Sequence, residues 1–98
     1  MNKAEKYERA WRNGDRNQVR EEEMLAVLKE NGFDCRRDGA NHWLAVHPGL
    51  REHPKFALPG AKVGRIRINC HANGQQGRVH PYAVSDVLNA LDYLRNER

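Results

Sequence analysis

The stretch "FDCRRDGANHWLAVHP", Phe33 to Pro48, decides the fold. Its first half alternates, with Phe33 and Cys35 on one side and Asp34 and Arg36 on the other. That period of two is the pattern of a half-buried strand. Gly39-Ala40-Asn41 supplies turn residues, and "HWLAVH" at 42–47 reads as a second strand. Two short strands around such a turn make a hairpin, so a sheet is anchored here.

Working outward, the pattern on either side is helical. Upstream, Asn17 can cap a helix whose first turn holds Glu21–Glu23 and whose apolar stripe is Met24, Leu25 and Leu28; Asn31-Gly32 ends it. Residues 3–12, "KAEKYERAWR", form a shorter charged helix with Tyr7 and Trp11 on one face, broken at Asn13-Gly14-Asp15. Residues 1–16 therefore read as a helical appendage to a single domain at 17–98, its aromatic pair docking on the body or on a partner. Downstream, Pro48, Gly49, Pro54, Pro59 and Gly60 make 48–62 a long loop. "VGRIRINCH" then alternates cleanly as a third strand, with Ile66, Ile68 and Cys70 against Arg65, Arg67, Asn69 and His71. Pro81 suits the first turn of a last helix, in which Val84, Val87, Leu88, Leu91 and Leu94 recur at intervals of three and four. Helix, three antiparallel strands and helix, with an extra N-terminal helix, imply an α+β two-layer sandwich with both main helices on one side of the sheet.

That arrangement leaves one sheet face open. With Leu44 and Val46 taken as core residues, parity places Trp43 and His47 on the open face, together with Arg36 from the first strand and Arg65, Arg67, Asn69 and His71 from the third. By the same parity His42 falls on the core side. Guanidinium groups for phosphates and an indole for stacking are an RNA-binding set; the alternative is a Trp43 covered by the 48–62 loop or the N-terminal helix.

Charge points the same way. The net charge of +4 is unevenly spread: residues 33–80 hold eight basic side chains against three acidic ones, whereas 1–32 hold seven of each. A basic excess gathered in one segment is the footprint of a phosphate-binding surface, or of a solvated basic face with no partner. The 98 residues, 39% hydrophobic and 31% charged, fit one soluble domain with one modest core. No apolar run approaches the ~20 residues of a membrane span, and the N-terminus is too charged for a signal peptide, so the expected compartment is the cytoplasm. Cys35 and Cys70, on strands two apart, are expected as free core thiols. His42, His47, His53, Cys70, His71 and His80 match no ligand spacing, so neither metal nor cofactor is expected. Ala72–Gly77 follows a strand without opening directly into a helix, which argues against a nucleotide loop.

"LKENGFDCRRDGANHWLAVHP" and "IRINCHANGQQGRVHPYAVSDVLNALDYL" resemble the opening and closing segments of HicA-type (YcfA-like) mRNA interferase toxins, over roughly residues 20–95. Gly32-Phe33, Gly39, His71 and Val87-Leu88 fall where that pattern expects them. The resemblance implies a double-stranded-RNA-binding-domain-like fold, metal-independent endoribonuclease activity on RNA, and a small HicB-type antitoxin protein as partner. It also implies a catalytic histidine at the Gly39 turn, with His71 as a second candidate. The family histidine stands two residues after the glycine; here that place is Asn41, and His42 follows it. Either the turn holds one extra residue and His42 takes the role, or Asn41 marks a non-catalytic RNA- or protein-binding module on the same fold, of phage or mobile-element origin. A histidine that caps the turn is the structural alternative for His42.

Overall fold

A computed structural model describes residues 2–71 and 77–96 of the chain. The elements are α1 (Lys3–Arg12), α2 (Glu21–Glu30), β1 (Asp34–Arg37), β2 (His42–His47), a single 3-10 turn (Pro48–Leu50), β3 (Gly64–Asn69) and α3 (Pro81–Asn96). The sheet is antiparallel, in the order β1-β2-β3 with β2 central. Its edge is extended by short bridges: Cys70 pairs with Val79, and Arg78 pairs in turn with Arg20.

That extension moves the start of α2. Asn17 does not cap it. Val79 N–H donates to the Val19 carbonyl at 2.8 Å and Glu21 N–H donates to the Gly77 carbonyl, so the chain before α2 runs alongside residues 77–79 instead of coiling. The helix begins at Glu21, with the Arg20 N–H donating to the Glu23 carboxylate at 2.8 Å. Strand pairing satisfies the Val19 carbonyl and the Glu21 N–H and outweighs the capping preference of Asn17.

The 48–62 loop folds inward. Leu50, His53 and Phe56 are buried, and the Arg65 N–H donates to the Phe56 carbonyl at 2.8 Å, tying the loop to β3. Gly64 is required by this approach, because a Cβ there would overlap the main chain of Leu50. His53 is wholly structural: its Nδ1 accepts from the N–H groups of Lys55 (3.0 Å) and Phe56 (3.3 Å), and its Nε2 lies 3.1 Å from Asn89 Oδ1.

One hydrophobic core joins α2, α3, the inner sheet face, the loop and α1. Trp11 is only 2% exposed within it, so the aromatic pair of α1 docks on the body. Glu8 receives Arg95 at 2.6 Å, and Arg12 reaches Asp92 at 2.9 Å, which fastens α1 to α3. Cys35 and Cys70 are free thiols on either side of β2; burial pushes the Cys70 thiol up to about 11. No helix among the described residues is long and apolar enough to cross a membrane.

The pairing register reverses the parity expected for β2. Ala45 pairs with Cys35 and Ile66, and Trp43 pairs with Arg37 and Ile68. Because directly paired residues point to the same face, Trp43, Ala45 and His47 lie on the inner, helix-covered face. Leu44 pairs with Arg36 and Arg67, Val46 with Asp34 and Arg65, and His42 with Asn69. His42, Leu44 and Val46 therefore lie on the outer face. The ladder runs from His42–Asn69 to His47–Gly64 without interruption, so no bulge is involved.

Candidate nucleic-acid interface

The outer face is built from three strands and the segment leading into α3. β1 contributes Asp34 and Arg36, β2 His42, Leu44 and Val46, and β3 Arg65, Arg67 and Asn69. Arg36, Arg65 and Arg67 are exposed. Arg36 has a loose pairing with Asp34 at 3.8 Å. Among the described residues Arg65 and Arg67 have no carboxylate partner. Their charge is thus available to an anionic ligand.

His42 opens β2 directly after the Gly39 turn. Gly39 adopts φ +90°, a region an L side chain enters only with strain. A Cβ on Gly39 would come within 3.6 Å of His42 Nδ1, so the turn and the imidazole are packed together. Asp38 N–H donates to the His42 carbonyl at 2.9 Å, and Cys70 N–H donates to the Asn41 carbonyl at 2.8 Å. The backbone on both sides of His42 is therefore fixed. Asn41, one step back along the ladder, has the opposite parity and cannot share the face of Asn69.

A second histidine group lies across β3. The His80 N–H donates to the Asn69 carbonyl at 3.0 Å and the His71 N–H donates to the Arg78 carbonyl at 2.8 Å. This register aligns His42, Asn69 and His80 in one row across three neighbouring segments. The ring of His80 lies 3.9 Å from that of His71 and 5.7 Å, stacked, from that of Tyr82. Burial, and then the neighbouring His71, holds the His80 imidazole below its ordinary range. The Asn69 side-chain amide hydrogen-bonds the Tyr82 hydroxyl, and Asn69 Oδ1 is buried without a partner among the described residues.

Two expected members are elsewhere. Trp43 is half-buried against the core, with the Arg37 guanidinium 5.4 Å above its ring; Arg37 is itself held by Glu21 at 3.3 Å and by the Ala40 carbonyl at 2.8 Å. His47 Nδ1 accepts from the Gly49 N–H at 2.9 Å, capping the 3-10 turn, and its ring sits 4.9 Å from that of Phe33. Neither reaches the outer face, because each follows the inward parity of Ala45. His42, His71, Arg36, Arg65, Arg67 and Asn69 do lie there. His80 and Tyr82 join them; they flank Pro81 at the start of α3, and the Cys70–Val79 bridge, which no periodicity marks, together with the Asn69–Tyr82 hydrogen bond brings them to β3.

The arrangement offers imidazoles for proton transfer near neutral pH, guanidiniums for phosphate charge, and aromatic rings. Among the described residues no three His, Cys, Asp or Glu side chains gather as a metal site. Neither a protein-family model nor a curated protein nor a solved structure matches this chain.

Proposed function

We propose that the protein is a HicA-like, metal-independent endoribonuclease that acts on RNA through the outer sheet face, as the toxin of a toxin–antitoxin pair. The observation that carries this reading is the pairing of His42 with Asn69, which puts His42 on the face of Arg36, Arg65, Arg67 and His71. In this reading His42 takes the proton of a ribose 2′-hydroxyl. The oxygen attacks the adjacent phosphorus, the bond to the 5′-oxygen breaks, and that oxygen takes a proton from His71. Arg67 and Arg65 offset phosphate charge as it shifts. The products are a 2′,3′-cyclic phosphate and a 5′-hydroxyl. A small HicB-type protein would silence the toxin by covering this face, where Leu44 and Val46 supply apolar contact between the arginines.

A second reading is a non-catalytic RNA- or protein-binding module. It is favoured by Asn41, which stands where the resembled family carries its histidine. Induced expression of the wild type beside His42→Ala, followed by growth and RNA integrity, separates the two. Growth arrest with RNA decay in the wild type alone supports the toxin; equal, harmless behaviour of both sinks it.

A further inference from the structure

We propose that Tyr82, His80 and His71 form a stacking platform for an unpaired nucleobase, so that the RNA taken by this face is single-stranded. The inference rests on the RNA reading above but not on cleavage.

Three rings from three separate positions are brought together, the His71–His80 pair tilted by 44° and the His80–Tyr82 pair stacked. His71 follows β3, His80 lies in the segment paired to β3, and Tyr82 is the second residue of α3. The spacings are 3.9 Å from His71 to His80 and 5.7 Å from His80 to Tyr82, the latter pair inclined by 29°. Tyr82 ends the row and is 50% exposed, the only large hydrophobic side chain so displayed among the described residues. Its hydroxyl is held by the Asn69 amide, so the ring is fixed before any ligand arrives and little rotamer freedom remains to be lost. A fixed, exposed π-face beside free guanidiniums is the combination that binds single-stranded nucleic acid: the rings take bases and the cations take phosphates.

The neighbours supply the phosphate contact. Asn69 lies between the platform and His42 on the same face. Arg67 stands two residues back on the same face of β3, a position suited to the next phosphate. A duplex could not use these rings, because its bases are already stacked on one another and A-form RNA offers mainly phosphates and 2′-hydroxyls.

The test is a binding titration on the full chain. The probe is a short mixed-sequence oligoribonucleotide with 2′-O-methyl riboses, which the proposed reaction cannot cut, used alone and annealed to its complement. The single strand should bind at least about tenfold more tightly than the duplex, and Tyr82→Ala should weaken it about 5- to 100-fold while keeping its salt dependence. Tyr82→Phe, which keeps the ring but loses the Asn69 contact that fixes it, should bind more tightly than Tyr82→Ala. Salt-dependent binding that prefers the duplex, or that ignores Tyr82→Ala, overturns the platform and leaves the RNA reading standing. No salt-dependent binding to either form overturns both. Thermal melting of Tyr82→Ala, expected near wild type for an exposed side chain, separates a lost contact from a lost fold.

Discussion

His42 stands directly across the β2–β3 ladder from Asn69, and the main chain of His80 is hydrogen-bonded to Asn69 from the other side. Three polar side chains thus share one row of a face that also carries Arg36, Arg65, Arg67, Asp34, His71, Leu44 and Val46.

A first prediction follows for the purified protein. If His42 is the general base, His42→Ala should slow cleavage of single-stranded RNA by about 10²- to 10⁴-fold, with an unchanged circular dichroism spectrum. Wild-type cleavage should persist in excess EDTA and leave 2′,3′-cyclic phosphate ends. Undiminished cleavage by the variant would remove His42 from the mechanism.

The fold was legible because its signals were local: the alternation in β3, the stripe in α3 and the hairpin turn each reported on themselves. The parity of β2 was not. Trp43, Leu44, Ala45 and Val46 are all apolar, so period two assigns them to no particular side. The deciding information is the pairing of Ala45 with Cys35 and Ile66, a relationship between strands. Cys35 had already been read as facing the core, and carrying its side across the hairpin would have turned Ala45 inward and His42 outward. His80 and Tyr82 were hidden for a different reason: they reach the sheet through the isolated Cys70–Val79 bridge and the Asn69 side chain, which no local pattern marks.

The arginines make a prediction of their own. Replacing Arg65 and Arg67 together by Gln should weaken RNA binding across all sequences. It should also lower the slope of log affinity against log salt by about 1.4, since each phosphate neutralised on a single strand contributes about 0.7. An unchanged slope would mean that the RNA does not cross these strands.

Stability should depend on α1 as much as on the central elements. Trp11 is 2% exposed in the common core, and removing so large a buried side chain costs about 3–5 kcal/mol. For a domain of this size that corresponds to a drop in melting temperature of well over about 10 °C. Arg12→Ala, which removes an exposed pair with Asp92 and a partly buried pair with Glu8 that Arg95 still holds, should cost less, about 1 kcal/mol. A Trp11→Ala protein that melts like the wild type would show α1 to be dispensable.

His47 should impose a pH dependence on stability. Its Nδ1 must be unprotonated to accept the Gly49 N–H. Burial pushes the imidazole below its ordinary value of 6.5, with the Asn31 main chain partly opposing. A base with a lowered folded value binds fewer protons folded than unfolded, so its contribution is complete above about pH 6.5 and is lost as pH falls through the folded value. His80 is shifted in the same direction. Glu8, held down chiefly by Arg95 despite its burial, loses its contribution only at pH values below its ordinary 4.5. Melting temperature should therefore fall as pH drops below about 6.5. His47→Asn keeps an acceptor for Gly49 but does not titrate, so it should flatten that decline, leaving the share due to His80. An identical decline in the variant and the wild type would place the pH dependence elsewhere in the molecule.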